Sequence, residues 1–408
     1  MRIAHALLAT FAAVALLAAP LSTAAAQTEK PKTEGAEKFL GPAVLGPNYR
    51  VKPRARSDGM MRIFDVETSY GVFQFDGVAF TKMRLRELDA IVALEKMSQS
   101  DEFAKAFGNA AISPLKFGAN LITKPVETIN RSFSGVANMF DRAGASLGNS
   151  RADRDTLGDS LLGVSDKQRE LAVELGVDPY SDFPPLAERL KQMAGAMAGG
   201  GLPVKAGLAF IPGGVGIAIS SASSVEGVKD ALLTKTAAQI IAEVRGTLQT
   251  LDVPPESIDR LLENRNYTPT DLLVMSRALA EIGAQNTAAF VDSAAIEGSS
   301  RDIAFYERQL AVLMAQRDKA LGGIASFVTA AGQPVAIRRD GVAVAVFPLD
   351  DLAWTEVPRR AFTTAAAELK RARPGGHPIL ATTAAVTPMA SSELKKLGWT
   401  VMHIKPLP

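Results

Sequence analysis

The stretch from Ile379 to Ile404, ILATTAAVTPMASSELKKLGWTVMHI, determines the topology of the C-terminal part of this chain. Residues 379–383 and 399–404 are short apolar runs typical of strands, and residues 388–397 between them predict a helix. Gly398 stands where a helix C-cap glycine is expected. A strand, a helix and a second strand joined by short links form a crossover unit, so we expect two parallel strands here.

The residues just before this unit predict the rest of a small α/β module. Residues 335–337 and 342–347 are two further strand-like runs, and Asp340-Gly341 between them is a strong signal for a hairpin turn. A helix fits residues 359–371. We therefore assign residues 326–408 to a small C-terminal α/β module.

The middle of the chain, residues 101–325, predicts a helical domain, because its apolar residues recur every three or four positions. Its last long helix covers residues 301–321 and carries charged side chains on one face. These are Glu307, Arg308, Arg317, Asp318 and Lys319. A charged face of this kind is typical of a helix surface in water, so we expect it to be exposed to solvent.

Residues 49–100 predict a small antiparallel β element followed by a helix. Its first part is rich in β-branched and aromatic residues, and Tyr70-Gly71 and Asp76-Gly77 mark turns. Residues 27–48 predict a polar tether. Together these segments predict an α+β protein that is predominantly helical, with the β element at its N-terminal end and the α/β module at its C-terminal end.

Residues 1–26 predict a secretory signal peptide that is cleaved after Ala26. Arg2 gives a positive start, residues 6–19 form a short uncharged apolar core, and small residues precede the cleavage site. The sequence contains no cysteine, which excludes disulfides, a thiolate nucleophile and a lipoprotein anchor. We therefore expect an exported protein of the bacterial envelope, located in the periplasm.

Composition argues against nucleic acid as a partner. The sequence has 45 Lys and Arg residues against 43 Asp and Glu residues, so no strong positive field attracts a polyanion. The segment 193–225 is unusual because its 33 residues contain a single charged residue, Lys205, and residues 206–222 have no charge. We interpret it as an apolar helical hairpin buried in the helical domain, with insertion into a membrane as the alternative.

Candidate catalytic residues come from short motifs and from the scarce histidines. Ser146 lies in a G-x-S-x-G match, and Gly158-Asp159-Ser160-Leu161 resembles the GDSL word of an esterase family. Neither serine follows the apolar strand that such a nucleophile requires. His377 and His403 flank the two parallel strands, so they are weak candidates for a shared site. No metal site and no cofactor is predicted, since H-E-x-x-H is absent.

The one notable basic cluster lies in the α/β module. Arg338 and Arg339 lie on the hairpin, and Arg359 and Arg360 begin the next helix. These four side chains indicate either a solvated face or a patch for an anionic envelope polymer or a partner protein. The leading functional hypothesis is a non-catalytic envelope protein that binds or assembles with other components. The alternatives are an exported hydrolase without a readable motif and a membrane-active protein acting through residues 193–225.

Overall fold

The computed structural model describes residues 28–99, 164–200, 225–296, 300–373 and 375–407. Within these ranges the chain is a mixed α/β protein with two β-sheets. The proposed signal peptide, Ser146, Ser160 and residues 201–224 of the apolar segment lie outside the described residues. The prediction of an apolar hairpin therefore stays a prediction.

The N-terminal sheet is antiparallel and is followed by a long helix. Its strands are β1 (Thr33–Gly35), β2 (Tyr49–Val51), β3 (Arg54–Ser57), β4 (Arg62–Thr68) and β5 (Gly71–Asp76), and a short helix α1 (Glu37–Leu40) follows β1. Strand β4 pairs with β2, β3 and β5, so it is the centre of this sheet. Helix α2 (Val78–Ser98) starts directly after β5 and packs its apolar side chains against the sheet.

Helices form the middle of the described chain. Their bounds are α3 (Asp166–Glu174), α4 (Pro184–Gly200), α5 (Val225–Thr234), α6 (Ala237–Thr250), α7 (Pro255–Glu263), α8 (Pro269–Ile282), α9 (Ala288–Ala294) and α10 (Arg301–Leu321). Several begin at residues that sequence rules favour. Ser165 caps α3 through a hydrogen bond from the Gln168 N–H, and Thr236 and Thr268 form capping boxes at α6 and α8.

The C-terminal sheet has the order β10-β9-β8-β7-β6. Its elements are β6 (Ile324–Ala330), β7 (Gln333–Arg338), β8 (Ala343–Phe347), helix α11 (Glu356–Ala372), β9 (Ile379–Thr382), helix α12 (Pro388–Lys396) and β10 (Thr400–His403). The predicted parallel pairing of β9 and β10 is confirmed, and so is the hairpin between β7 and β8. Strand β8 also pairs in parallel with β9, so three neighbouring strands run in one direction.

The expectation that the charged face of α10 meets solvent is wrong for its first half. Glu307 is 1% exposed and Arg308 is 8% exposed. The reason is that α8 packs along this side of α10, and the Arg308 guanidinium pairs with the Asp271 carboxylate of α8. Only the last turns of α10 keep exposed charges, with Lys319 among them. A charged face can therefore be covered when a neighbouring helix supplies the opposite charge.

None of the helices in the described ranges combines the length and the apolar character that are required to cross a bilayer.

Candidate functional site

A cavity of about 500 Å³ lies at the carboxyl ends of the three parallel strands. Pro348, Leu349 and Asp350 follow β8, Thr383 follows β9, and the segment after β10 contributes Pro406 and Leu407. In open α/β sheets, ligands bind in the crevice outside the carboxyl ends of the strands. Ligand pockets generally measure about 300–1,000 Å³, so the volume suits a small molecule. We call this space the central cavity.

Two long helices form opposite walls of the central cavity. Helix α2 contributes Ala79, Lys82, Met83 and Arg86, and helix α10 contributes Asp302, Phe305, Tyr306, Gln309 and Leu313. The members of each set are mostly three or four residues apart, so they share one face of their helix. The walls meet at Phe80 and Phe305, whose ring centroids lie 5.4 Å apart. Apolar side chains supply the larger part of the lining, and acidic, basic and neutral polar side chains lie between them.

Asp350 joins the C-terminal sheet to the start of α2. Its Oδ2 accepts hydrogen bonds from the backbone N–H groups of Arg62 and Val78, each at 2.9 Å. The helix has glycine at its own N-cap, and the Asp350 carboxylate supplies the acceptor that this residue lacks. Gly77 has φ +93°, a backbone conformation that L side chains rarely adopt, so this position favours glycine. Burial raises the pKa of Asp350 to about 6.

Further contacts hold the N-terminal sheet against the C-terminal module. The Asp351 Oδ2 accepts from the Arg62 Nη2 at 3.0 Å and from the Ser57 Oγ at 3.2 Å. The Met60 carbonyl accepts the backbone N–H groups of Asp350 and Asp351, each at 3.1 Å. Because these bonds join two sheets that are distant in sequence, they fix the relative position of the cavity walls.

Asp178 lines the cavity but has no free oxygen to offer a ligand. Its Oδ1 accepts from the Thr270 Oγ1 at 2.5 Å and from the Tyr180 N–H at 2.9 Å. Its Oδ2 accepts from the Thr268 Oγ1 at 2.8 Å. Burial raises the pKa of Asp178 to about 6. These partners belong to the start of α8, so Asp178 anchors that helix and is not placed as a general base.

A buried ionic cluster supports α10 from behind. Asp271 is 0% exposed, and its carboxylate pairs with the Arg301 Nη2 at 3.0 Å and with the Arg308 Nη1 at 3.2 Å. Asp182 pairs with Arg301 and Arg84, at 2.9 Å and 2.7 Å. These neighbouring guanidinium groups hold the pKa of the Asp182 carboxyl well below its usual range. The cluster ties α2, α8 and α10 together around the cavity.

Some polar atoms on α10 have no hydrogen-bond partner within the described part of the chain. Three of these atoms, the Asp302 Oδ2, the Tyr306 hydroxyl and the Arg308 Nε, belong to residues that line the cavity. Both carboxyl oxygens of Glu307 are also buried without a partner, outside the cavity lining. Burial raises the pKa of Glu307 to about 8, so this carboxyl is mostly protonated at neutral pH.

The structure does not bring the two candidate histidines together. Strands β9 and β10 pair with Ile379 opposite Thr400 and with Thr382 opposite His403. His377 precedes β9, so it lies five residues before the level of His403, which is about 16 Å along the strand. Both side chains are exposed, and neither lines the central cavity. In the ranges that the structure describes, no group of His, Asp and Glu residues could hold a metal ion.

The four arginines of the predicted basic patch lie at two ends of the C-terminal module. Arg338 and Arg339 lie at the hairpin between β7 and β8, where the Arg373 Nη1 reaches the Gly341 carbonyl at 3.1 Å. Arg359 and Arg360 lie in the first turns of α11, about 21 Å from Arg373 along the helix. Arg338 pairs with Asp340, and Arg359 pairs with Glu356. The arginines therefore form two separate groups.

Comparison with known proteins adds no assignment. No protein-family model matches this chain, and no curated protein and no solved structure matches it. Sequence patterns did not point to the residues of the central cavity. One usable signal was present, since Asp350 and Asp351 come shortly after the buried strand β8, at the edge of the sheet where ligands bind.

Proposed function

We propose that this protein is an exported ligand-binding protein of the bacterial envelope that takes a small, largely apolar molecule into the central cavity. The observation that carries the proposal is the position of this cavity, at the carboxyl ends of β8, β9 and β10. The proposed export rests on the sequence pattern of residues 1–26. This proposal agrees with the leading hypothesis of a non-catalytic envelope protein, and it adds the central cavity as the ligand site.

The lining of the cavity supports binding of an apolar molecule. Phe305, Leu313 and Leu349 are buried apolar side chains of the wall, and the Asp302 Oδ2 and the Tyr306 hydroxyl stand among such groups. A mainly apolar pocket with a few fixed polar groups is the usual composition of a small-molecule site. Burial of the ligand's apolar surface supplies affinity, and the polar groups orient the ligand.

Three of the five carboxylates that line the cavity are engaged by the protein, and their state favours binding over hydrolysis. Asp178 and Asp350 accept hydrogen bonds that hold helices in place, and Glu87 binds Arg84 and Ser181. General acid–base catalysis needs a carboxyl or imidazole that can reach the substrate. These three carboxylates instead form hydrogen bonds that hold the walls of the cavity in place. The hydrolase and the membrane-active alternatives stay predictions.

Binding of decanol, a neutral apolar probe, tests this proposal. We expect isothermal titration calorimetry to detect decanol binding to the wild-type protein. Met83 is half-buried and lines the cavity, so Met83→Trp places a larger side chain in the space that the probe needs. We expect this substitution to weaken decanol binding about tenfold or more, since the probe loses much of its buried apolar surface.

Met389→Trp is the matched control, because Met389 is also half-buried but lies on α12 away from the cavity. Its decanol affinity should equal that of the wild type. Circular dichroism spectra should show that both variants keep their helix content. Failure of the wild type to bind decanol and its charged analogues decanoate and decylammonium, or equal loss of decanol affinity in the two variants, would overturn the proposal.

A further inference from the structure

We propose that the ligand of the central cavity is an alkyl carboxylate of the fatty-acid type, with its carboxylate held by Lys82 and Arg86 and its alkyl chain in the apolar interior. This inference rests on the proposed function and adds the chemical class of the ligand. It is carried by the charges of the cavity wall and by the partners that those charges have.

Lys82 and Arg86 are the cations that the cavity offers to a ligand. They lie one turn apart on α2, and both line the cavity. Lys82 is exposed and Arg86 is half-buried, so their charged ends lie at the border between the cavity and solvent. Neither side chain forms a hydrogen bond or an ion pair with any residue in the described ranges.

Other arginines around the cavity are already neutralised. Arg84 lies between Lys82 and Arg86 in sequence but turns away from them to pair with Glu87 and Asp182, each at 2.7 Å. Arg308 pairs with Asp271. The contrast matters because a paired cation has little to gain from a ligand, whereas an unpaired one gains a charge-assisted hydrogen bond.

Most acids of the wall are engaged by the protein in the same way. Glu87 accepts from Arg84 and from the Ser181 Oγ at 2.6 Å, and Asp350 accepts from two backbone N–H groups. Asp302, on the opposite helix, has an unpartnered Oδ2. This carboxylate would attract a cation, so the opposing hypothesis is a ligand with a cationic headgroup, which decylammonium represents.

The interior below these cations suits an alkyl chain. Leu232, Phe305 and Leu313 are buried apolar side chains of the lining, and the volume of about 500 Å³ is large enough for a small molecule. A carboxylate is the simplest headgroup that a guanidinium and an ammonium one turn apart can both bind. The arrangement therefore matches a molecule with one anionic end and one apolar end.

The test compares three ligands with the same ten-carbon chain, namely decanoate, decanol and decylammonium. Isothermal titration calorimetry at neutral pH and low salt, below the concentrations at which these molecules form micelles, gives each dissociation constant. We expect decanoate to bind about tenfold more tightly than decanol because of its two charge-assisted contacts. We expect decylammonium to bind more weakly than decanol, because Lys82 and Arg86 repel it.

The double substitution Lys82→Glu and Arg86→Glu separates the contribution of the ligand's headgroup to the affinity from that of its alkyl chain. We expect this variant to lose the tenfold preference for decanoate, measured as the ratio of its own dissociation constants for decanol and decanoate. The matched control is Lys191→Glu with Lys395→Glu, two exposed lysines on α4 and α12 that do not line the cavity. This control changes the net charge equally and should keep the preference for decanoate.

The outcomes separate the two proposals. Equal binding of decanoate and decanol, or tightest binding of decylammonium, would overturn the assigned ligand class and leave the binding cavity intact. Loss of decanoate preference in the control variant as well would also overturn it, because the preference would then come from net charge. Absence of binding for all three ligands would overturn the proposed function itself.

Discussion

Replacing Asp271 by alanine is expected to lower the free energy of unfolding by about 3–5 kcal/mol. Its side chain is 0% exposed and compensates two buried guanidinium groups, those of Arg301 and Arg308. The same carboxylate accepts the Thr268 backbone N–H at 3.0 Å in the capping box of α8. Its removal leaves the Arg308 guanidinium without its carboxylate partner, leaves Arg301 paired with Asp182 alone, and removes a helix cap.

Urea unfolding of wild type and variant, followed by circular dichroism, measures this loss. Asp259→Ala is the control, because Asp259 pairs with Arg245 at 2.7 Å but its side chain is 52% exposed. An exposed pair contributes about 1 kcal/mol or less, so this control should change stability little. A loss below about 1 kcal/mol for Asp271→Ala would contradict the account of a buried ionic cluster that supports α10.

Glu307→Gln is expected to make the protein more stable than the wild type at alkaline pH. The Glu307 carboxyl is buried without a partner, and burial raises its pKa to about 8. In the unfolded chain the pKa of this group is near its ordinary value of 4.5. The folded state therefore holds the proton more tightly, which stabilises it at low pH, and this contribution is lost as the pH rises through about 8.

The measured quantity is the difference in unfolding free energy between Glu307→Gln and the wild type at several pH values. We expect this difference to grow by about 3 kcal/mol in favour of the variant between about pH 5 and pH 8, since one pKa unit corresponds to about 1.4 kcal/mol. Glu263→Gln, at an exposed position on α7, should show no such trend. A difference that does not change with pH would contradict the burial of an unpartnered carboxyl at Glu307.

The C-terminal crossover could be predicted because its signals are local. Thr387 caps α12 through a hydrogen bond from the Ala390 N–H, Gly398 adopts φ +91° just after the helix, and the strands on both sides are short apolar runs. Each of these features lies within a few residues of the element that it defines. The sequence therefore contained all the information needed for the parallel pairing of β9 and β10.

Strand β6 was missed because its turn lacks the usual signal. The turn between β6 and β7 consists of Ala331 and Gly332, with φ values of +51° and +69°. Turns of this kind normally carry Asn, Asp or Gly at both positions, since other residues rarely adopt positive φ. Ala331 gave no indication of a hairpin, so the partner of β7 could not be recognised from the pattern.

The central cavity could not be predicted because its walls come from distant parts of the chain. Helices α2 and α10 are separated by about half of the sequence, and no local pattern states that they face each other. The charges of Glu307 and Arg308 led us to expect that both side chains face solvent. Periodicity shows which residues share one face of a helix, but it does not show which element packs on that face. The packing of α8 against α10 accounts for the burial of Arg308, whose guanidinium pairs with Asp271.

Methyl-labelled methionine provides the most direct test of the central claim that this cavity is the ligand site. Met61 and Met83 line the cavity, whereas Met275 and Met314 are buried elsewhere in the core. The protein labelled with ¹³C at its methionine methyl groups is titrated with decanol, and the signals are assigned by single substitutions. We predict that the Met61 and Met83 signals shift while those of Met275 and Met314 stay in place. Shifts at Met275 or Met314 without shifts at Met61 and Met83 would contradict the account.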